Sequence, residues 1–149
     1  MKKFVFAAAA ACFLFSGMAG AQDLAQNDVP EKIVNLFQKD FPEARDIEWE
    51  MDGIDYKVEF EVDISTDHEI WYDSTAEMIR HEEEIAARDL PAAVTAAIKS
   101  AFTDYRADDI EKVTTPDGIT YTMELEMQGG PDWKVAFDEQ GTIVQKRAD

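Results

Sequence analysis

The chain has 149 residues, with 14 lysines and arginines against 32 aspartates and glutamates, and a formal net charge of −18 at pH 7. This excess of negative charge excludes nucleic acid and anionic membrane surfaces as natural partners, because binding either one requires cationic groups that neutralise phosphate. The single cysteine, Cys12, lies near the N-terminus, so the rest of the chain has no disulfide and no cysteine-based metal site or nucleophile.

The first 21 residues have the organisation of a cleavable export signal. Lys2 and Lys3 precede an unbroken apolar run over residues 4–15, and residues 19–21 (Ala-Gly-Ala) offer the small side chains that a signal peptidase accepts. This run is too short to cross a bilayer, which takes about 20 helical residues. We therefore expect cleavage after Ala21, a mature net charge of −20 because both lysines are lost, no membrane insertion after cleavage, and a periplasmic or secreted location.

Two helices are predicted, one near the start of each half of the mature chain. Apolar residues recur there at the spacing that places them on one helix face. The positions are Val29, Ile33, Leu36, Phe37 and Phe41 in the first half, and Leu90, Val94, Ala97, Ile98 and Phe102 in the second. Asp28 and Asp89 are the predicted N-caps, since a short carboxylate can accept from the free amides of the first turn, and Pro30 and Pro91 fit an early helical position.

After each helix the apolar period changes to two, which predicts strands with one buried and one solvated face. The central strands are predicted over residues 54–64 and 119–127. Asp-Gly turns precede both strands, and a further strand containing Ile47, Trp49 and Met51 comes before the first turn. The remaining strands are predicted at 69–73, 78–80, 133–138 and 142–146. Residues 82–88 have strong helix propensity, so we interpret them as a connector in which a helix can form.

The two halves repeat one another. "DGIDYKVEF" at residues 52–60 returns as "DGITYTMEL" at 117–125. We therefore predict an α+β fold of two tandem helix-plus-antiparallel-sheet (α-β4) repeats, at residues 28–85 and 89–147, in two layers with the helices on one sheet face.

Several of the repeated motifs resemble a known family. They are Leu-Pro or Val-Pro before a short helix ending in Phe, Asp-Gly with Tyr following, and the turns "WYDSTAE" at 71–77 and "VAFDEQG" at 135–141. Together they resemble the PepSY-like family of exported bacterial proteins, which is grouped with β-lactamase-inhibitor-like folds. The resemblance covers residues 28–147 and implies tandem helix-plus-four-strand repeats whose concave sheet faces a partner.

No convergent set of catalytic groups is visible. Ser65, Ser74 and Ser100 lie outside any G-x-S-x-G elbow, and "HEEEI" at 81–85 has Ile85 where a zinc protease motif needs its second histidine. Close carboxylate pairs are inevitable among 32 acidic residues, so they do not indicate glycosidase chemistry. We therefore predict that the protein is not an enzyme and that it has no catalytic residues and no cofactor.

Calcium binding is the alternative function. Four oxygen-bearing residues alternate as in the first half of a calcium loop: Asp63, Ser65, Asp67 and Glu69. His68 replaces the glycine at the sixth position and Ser74 the glutamate at the twelfth, which excludes an EF-hand. What is left is low-affinity calcium binding by acidic hairpins, without assigned metal ligands.

Trp71 is the strongest single candidate for partner binding. Ile70 and Tyr72 are predicted to face inward, which places Trp71 on the acidic side of its strand. Two other interpretations stay open: Trp71 packs under the 82–88 connector, or Tyr72 is the exposed residue. The leading hypothesis is an exported, non-enzymatic, inhibitor-like binding module that docks a protein partner on an open acidic sheet face. The predicted contact residues are Glu59, Glu61, Trp71, Glu124 and Glu126.

Overall fold

The computed structural model describes residues 22–62 and 66–149, which form one open antiparallel sheet with two short helices. The nine strands are ordered β1 to β9, so each pairs with the next along the chain. They are β1 (Gln22–Leu24), β2 (Arg45–Asp52), β3 (Asp55–Val62), β4 (Thr66–Tyr72), β5 (Met78–Glu84), β6 (Arg106–Thr115), β7 (Gly118–Glu126), β8 (Trp133–Asp138) and β9 (Ile143–Ala148). The helices are α1 (Glu31–Asp40) and α2 (Ala92–Ala101). The predicted signal peptide, and Asp63 and Ser65 of the predicted calcium loop, lie outside the described residues.

The predicted fold class is wrong. In place of a two-layer α+β fold of two repeat units, the described chain forms a single mostly β structure. The reason is the pairing of β5 with β6, which joins the two halves through their backbones and continues in a hydrogen bond from Ile85 N–H to Ile110 O at 2.9 Å. In two separate sheets β5 and β6 would have been unpaired edge strands, whereas here their backbone groups hydrogen-bond to each other. The two ten-residue helices are a minor part of the structure.

Both predicted helices are present, and each contributes to one hydrophobic cluster on the sheet. Ile33 and Phe37 of α1 are buried against Trp49, Val58 and Phe60. Val94 of α2 packs in the same way in the second cluster, whose sheet residues are Ile110, Tyr121, Met123, Leu125, Val135 and Phe137. We call the sheet surface that carries these residues the helix-side face and the opposite surface the open face.

The predicted N-caps are wrong. Asp28 and Asp89 each end a short 3₁₀ turn, and Pro30 and Pro91 occupy the cap position without any side-chain cap hydrogen bond. The proline ring favours the extended conformation found there, with φ of −52° at Pro30. The first-turn amides are therefore served by backbone oxygens, as in the bond from Ile33 N–H to Pro30 O at 2.9 Å.

Strand boundaries also differ from the prediction, among them the start of β3 and the end of β5. Ile54 lies in the β2–β3 turn with its side chain 84% exposed, because Asp52 pairs with Asp55 and Gly53 adopts a φ of 66°. The predicted connector begins as strand, since β5 continues to Glu84 before a 3₁₀ turn over Ala87–Asp89. Helix propensity at 82–84 is overridden because both backbone edges of β5 pair with neighbouring strands.

Candidate functional site

The predicted contact residues all lie on the open face, but they do not form one cluster. Glu59 and Glu61 alternate on β3 with the core residues Val58 and Phe60. Glu124 and Glu126 alternate on β7 with core residues in the same way. Four strand spacings separate β3 from β7, which is roughly 19 Å along the sheet. The structure therefore divides these residues into two groups.

Glutamates lie directly opposite one another across four neighbouring strands. Glu48 on β2 pairs with Glu59 on β3, and Glu59 pairs with Glu69 on β4. Glu69 in turn pairs with Glu82 on β5. We call these four residues the glutamate ladder. Like charges placed opposite one another destabilise a sheet, so stability alone does not favour this arrangement.

Lys57 partly neutralises the ladder. Its Nζ lies 3.0 Å from Glu50 Oε1, 2.5 Å from Glu59 Oε1 and 2.9 Å from Glu69 Oε2. Burial lowers the pKa of Lys57, but hydrogen bonds to the three carboxylates outweigh it, so that the pKa lies above its ordinary value. The hydrogen bond from Lys57 in turn lowers the pKa of Glu59. Lys57 is thus a fixed positive charge within an acidic surface.

Trp71 lies on the open face of β4, held between two cations. Lys57 Nζ is 5.1 Å and Arg80 Cζ 5.2 Å from the centre of its ring. The indole Nε1 donates a hydrogen bond to Asp52 Oδ2 at 2.8 Å. The side chain is partly buried by these neighbours. Trp71 therefore offers a rigid, partly exposed ring rather than a freely projecting one.

The open face has a recess of about 280 Å³ across β4, β5 and β6. It lies between the two groups of predicted residues. Six carboxylates line it: Asp67, Glu69, Glu82, Glu84, Asp109 and Glu111. We call it the acidic recess.

A β-bulge in β6 brings Asp109 to the acidic recess. The register between β6 and β7 shifts between Asp108 and Glu111, and Asp109 has a φ of 46°. The extra residue lets Ile110 stay in the core while Asp109 lines the recess. Asp46, at the bulge in β2, has a similar φ of 50°, so the bulge conformation by itself does not mark a binding site.

Burial raises the pKa of two recess carboxylates above the ordinary value. For Glu69, burial is the largest effect, Lys57 counteracts it, and neighbouring glutamates add to it. For Glu111, burial comes first, the charge of Glu82 adds to it, and a hydrogen bond from Thr122 Oγ1 at 3.1 Å counteracts it. A cation placed in the recess would relieve this crowding of negative charge.

Glu124 and Glu126 are locally neutralised. Lys134 Nζ lies 2.8 Å from Glu124 Oε1, and an Arg106 guanidinium nitrogen lies 2.6 Å from Glu126 Oε2. Both glutamates face these cations from neighbouring strands. The negative charge of the open face is therefore concentrated on β3 to β6 rather than on β7.

The sequence profile of one protein family matches the chain twice, over residues 19–79 and 59–145. The family is provisionally described as beta-lactamase-inhibitor-like and PepSY-like. The chain belongs to this PepSY-like family. The resemblance read from the Asp-Gly and aromatic-Asp motifs is thereby confirmed. Membership favours a non-catalytic binding module as the class of function for this PepSY-like chain.

Solved structures of similar shape come from Bacteroides species. A BLIP-like protein from Bacteroides fragilis is 24% identical, with a TM-score of 0.68 over 80% of this chain and 85% of that one. A DUF2874 family protein from Bacteroides uniformis is 19% identical, with a TM-score of 0.72 over 80% and 89% of the two chains. A protein from Bacteroides eggerthii, provisionally described as periplasmic, is 19% identical with a TM-score of 0.72 over 80% and 88%. These likenesses show a shared fold.

No curated protein sequence gives a match to the PepSY-like chain. Over residues 22–62 and 66–149, neither helix has the length and apolar character needed to cross a membrane.

Sequence reasoning missed most of the acidic recess. Glu82 and Glu84 fall in the stretch interpreted as a connector, and Asp109 reaches the recess only through a bulge. The strand predicted at 78–80 was the one available signal for β5, and the three consecutive glutamates at 82–84 show no alternation that would extend it. The pairing of β5 with β6, which assembles the recess, left no signal in either segment alone.

Proposed function

We propose that the protein is an exported, non-enzymatic binding module that docks a protein partner on the open face. The observation that carries the proposal is the convergence of the glutamate ladder and the acidic recess on one sheet surface. Opposed like charges cost stability, and a partner that neutralises them recovers that cost. The inhibitor-like description of the family supports the same class of function.

The contact surface is expected to centre on β3 to β6. Glu59, Glu61 and Trp71 lie at one end of it, where the ladder meets the ring held by Lys57. Glu124 and Glu126 contribute at the periphery, because each already has a cationic partner. The partner should present a positively charged surface, since complementary charge speeds association and disfavours wrong partners.

The test compares open-face variants with a matched charge reversal elsewhere. Proteins from the periplasm and the medium are captured on wild type, on Glu59→Lys, on Trp71→Ala, and on Glu31→Lys, which makes the same charge change on the exposed surface of α1. A captured protein is then purified, and its affinity for each variant is measured by calorimetry at low and high salt. Circular dichroism checks that each variant is folded.

We expect the partner to bind wild type and Glu31→Lys equally, and to bind the open-face variants at least about tenfold more weakly. The loss of one well-placed contact costs about 1.4 kcal/mol or more of binding free energy, which corresponds to this factor. Equal binding by all four proteins would contradict docking on this face. Where the partner is an enzyme, its activity should fall in proportion to the bound fraction. Full activity at saturation would refute the inhibitor-like part of the proposal.

Calcium binding is not proposed as a second function. Within the part of the chain that the structure describes, no three His, Cys, Asp or Glu side chains are arranged to hold a metal ion. Calcium takes six to eight oxygen ligands in proteins.

A further inference from the structure

Two histidines lie side by side on the helix-side face, behind the acidic recess. His68 Nδ1 is 3.0 Å from His81 Nε2, and the ring centres are 5.3 Å apart. They come from the neighbouring strands β4 and β5, and they are the only histidines in the sequence.

The separation of these two nitrogens matches that of two neighbouring ligands on one metal ion. Zinc binds imidazole nitrogen at about 2.0–2.1 Å, so two adjacent ligand nitrogens lie roughly 2.8–3.4 Å apart for right-angled to tetrahedral geometry. The 3.0 Å between His68 Nδ1 and His81 Nε2 falls within this range. The two nitrogens form a hydrogen bond with each other, so an ion that binds both takes the place of that hydrogen bond.

Aromatic neighbours hold both rings in place. Phe60 stacks on His68, with ring centres 5.0 Å apart and planes 13° from parallel. Phe41 meets His81 edge-on at 5.7 Å. Because the rings are already positioned by packing, an ion that binds them pays little to order them.

The charge state of His81 also suits metal binding. Burial, helped by His68, lowers the pKa of His81 to about 4, so this imidazole is neutral at pH 7 and no proton must be displaced from its ligand nitrogen. Glu83 is the cross-strand partner of His68 and places a carboxylate beside the pair. Lys112 opposes a cation there, although its Nζ lies 3.4 Å from Glu83 Oε2.

We propose that His68 and His81 form a binding site for one first-row transition-metal ion, with Cu(II) bound most tightly. The chain supplies two imidazole ligands and solvent completes the coordination, since no larger ligand cluster is present in the described residues. Imidazole favours copper, nickel and zinc over calcium and magnesium, and affinity in this series peaks at Cu(II).

The test is a titration of the tag-free full chain with Cu(II), Zn(II) and Ca(II) at pH 7. Calorimetry gives the affinity, and electron paramagnetic resonance of the copper complex counts coordinated nitrogens. The variants are His81→Gln, His68→Gln and, as a control, Glu43→Gln in an exposed loop. Circular dichroism reports whether each variant is folded.

We expect one Cu(II) per chain with two imidazole nitrogens, weaker Zn(II) binding and no saturable Ca(II) binding at this pair. Loss of either histidine should weaken Cu(II) binding by at least the roughly 10–100-fold that is typical of losing a residue that only supports a metal ligand. Glu43→Gln should leave the affinity unchanged. Oxygen-only coordination in wild type would overturn the proposal, even where His68→Gln fails to fold. Equal copper affinity in wild type and folded His81→Gln would overturn it as well.

Discussion

Acidification should destabilise the protein through His81. Burial and the neighbouring His68 lower the pKa of His81 to about 4, against an ordinary value of 6.5. Between these two values the unfolded chain binds a proton that the folded chain does not. The contribution of His81 to stability is therefore fully present above pH 6.5 and is lost progressively as the pH falls towards 4.

The magnitude follows from the two pKa values. At pH 5 a shift from 6.5 to about 4 corresponds to a loss of about 2 kcal/mol of unfolding free energy. We halve this loss to about 1 kcal/mol because His81 is partly open to solvent, which screens its charge. Glu69 and Glu111 act in the opposite direction. Their raised pKa values mean that the folded state binds protons more readily, so these carboxylates favour folding as the pH falls.

The assay is urea unfolding of wild type and His81→Gln at pH 7 and pH 5. Both proteins carry the same carboxylates, so the contributions of Glu69 and Glu111 cancel in the comparison. Wild type should lose about 1 kcal/mol more than His81→Gln between the two pH values. Parallel pH dependence in the two proteins would refute the assignment of a neutral, half-buried imidazole to this position.

Four substitutions test the core, a close backbone contact, the charge cluster around Lys57 and the β2–β3 turn. Phe37→Ala removes a buried ring packed against other aromatic rings and should cost about 3–5 kcal/mol in urea unfolding; a cost below about 1 kcal/mol would contradict the core assignment. Gly141 has a φ of 80°, and Gly141→Ala places a methyl group 2.5 Å from the Ala93 carbonyl oxygen. The strain and the clash should lower the unfolding free energy by about 2 kcal/mol, which a fall in Tm would report. An unchanged Tm would contradict this close approach. Lys57→Met leaves three glutamates without their shared cation. The unfolding free energy should fall by about 2 kcal/mol at low salt and by less at high salt, because salt screens the repulsion between the glutamates. A loss that does not depend on salt would indicate that Lys57 acts through packing. Ile54→Ser should change the unfolding free energy by less than about 0.5 kcal/mol, because a side chain that is 84% exposed has little to lose, and a larger loss would contradict its place in the turn.

Local features of the fold could be predicted from the sequence because they depend on periodicity within one segment. The stripe containing Ile33 and Phe37 predicted a buried helix face, and the alternation around Val58 and Phe60 predicted a strand with one buried side; both are confirmed. The overall architecture could not be obtained in this way. It depends on the pairing of β5 with β6, between segments that carry no mark of one another in the sequence. The tandem repeat boundaries stay a prediction.

The candidate site was less accessible to sequence reasoning than the strands that build it. Period-two alternation placed Glu59, Glu61 and Trp71 on one surface, and the structure has them on the open face. Alternation within a strand does not say which residue faces which across the sheet. The opposition of Glu69 to Glu82 depends on a register that one segment cannot specify.

In the described part of the chain, β9 is the last strand of the sheet, with no neighbouring strand on its outer side. Ile143 and Val144 at its start are exposed, and such an edge is a template on which an identical strand from another molecule can add. Lys146 and Arg147 follow on the same strand, and Lys146 Nζ lies 3.8 Å from the centre of the Trp133 ring on β8. Two copies of this strand approaching side by side would bring these cations together and repel. The positive charge of β9, in a strongly acidic chain, therefore disfavours pairing of this edge with a second copy.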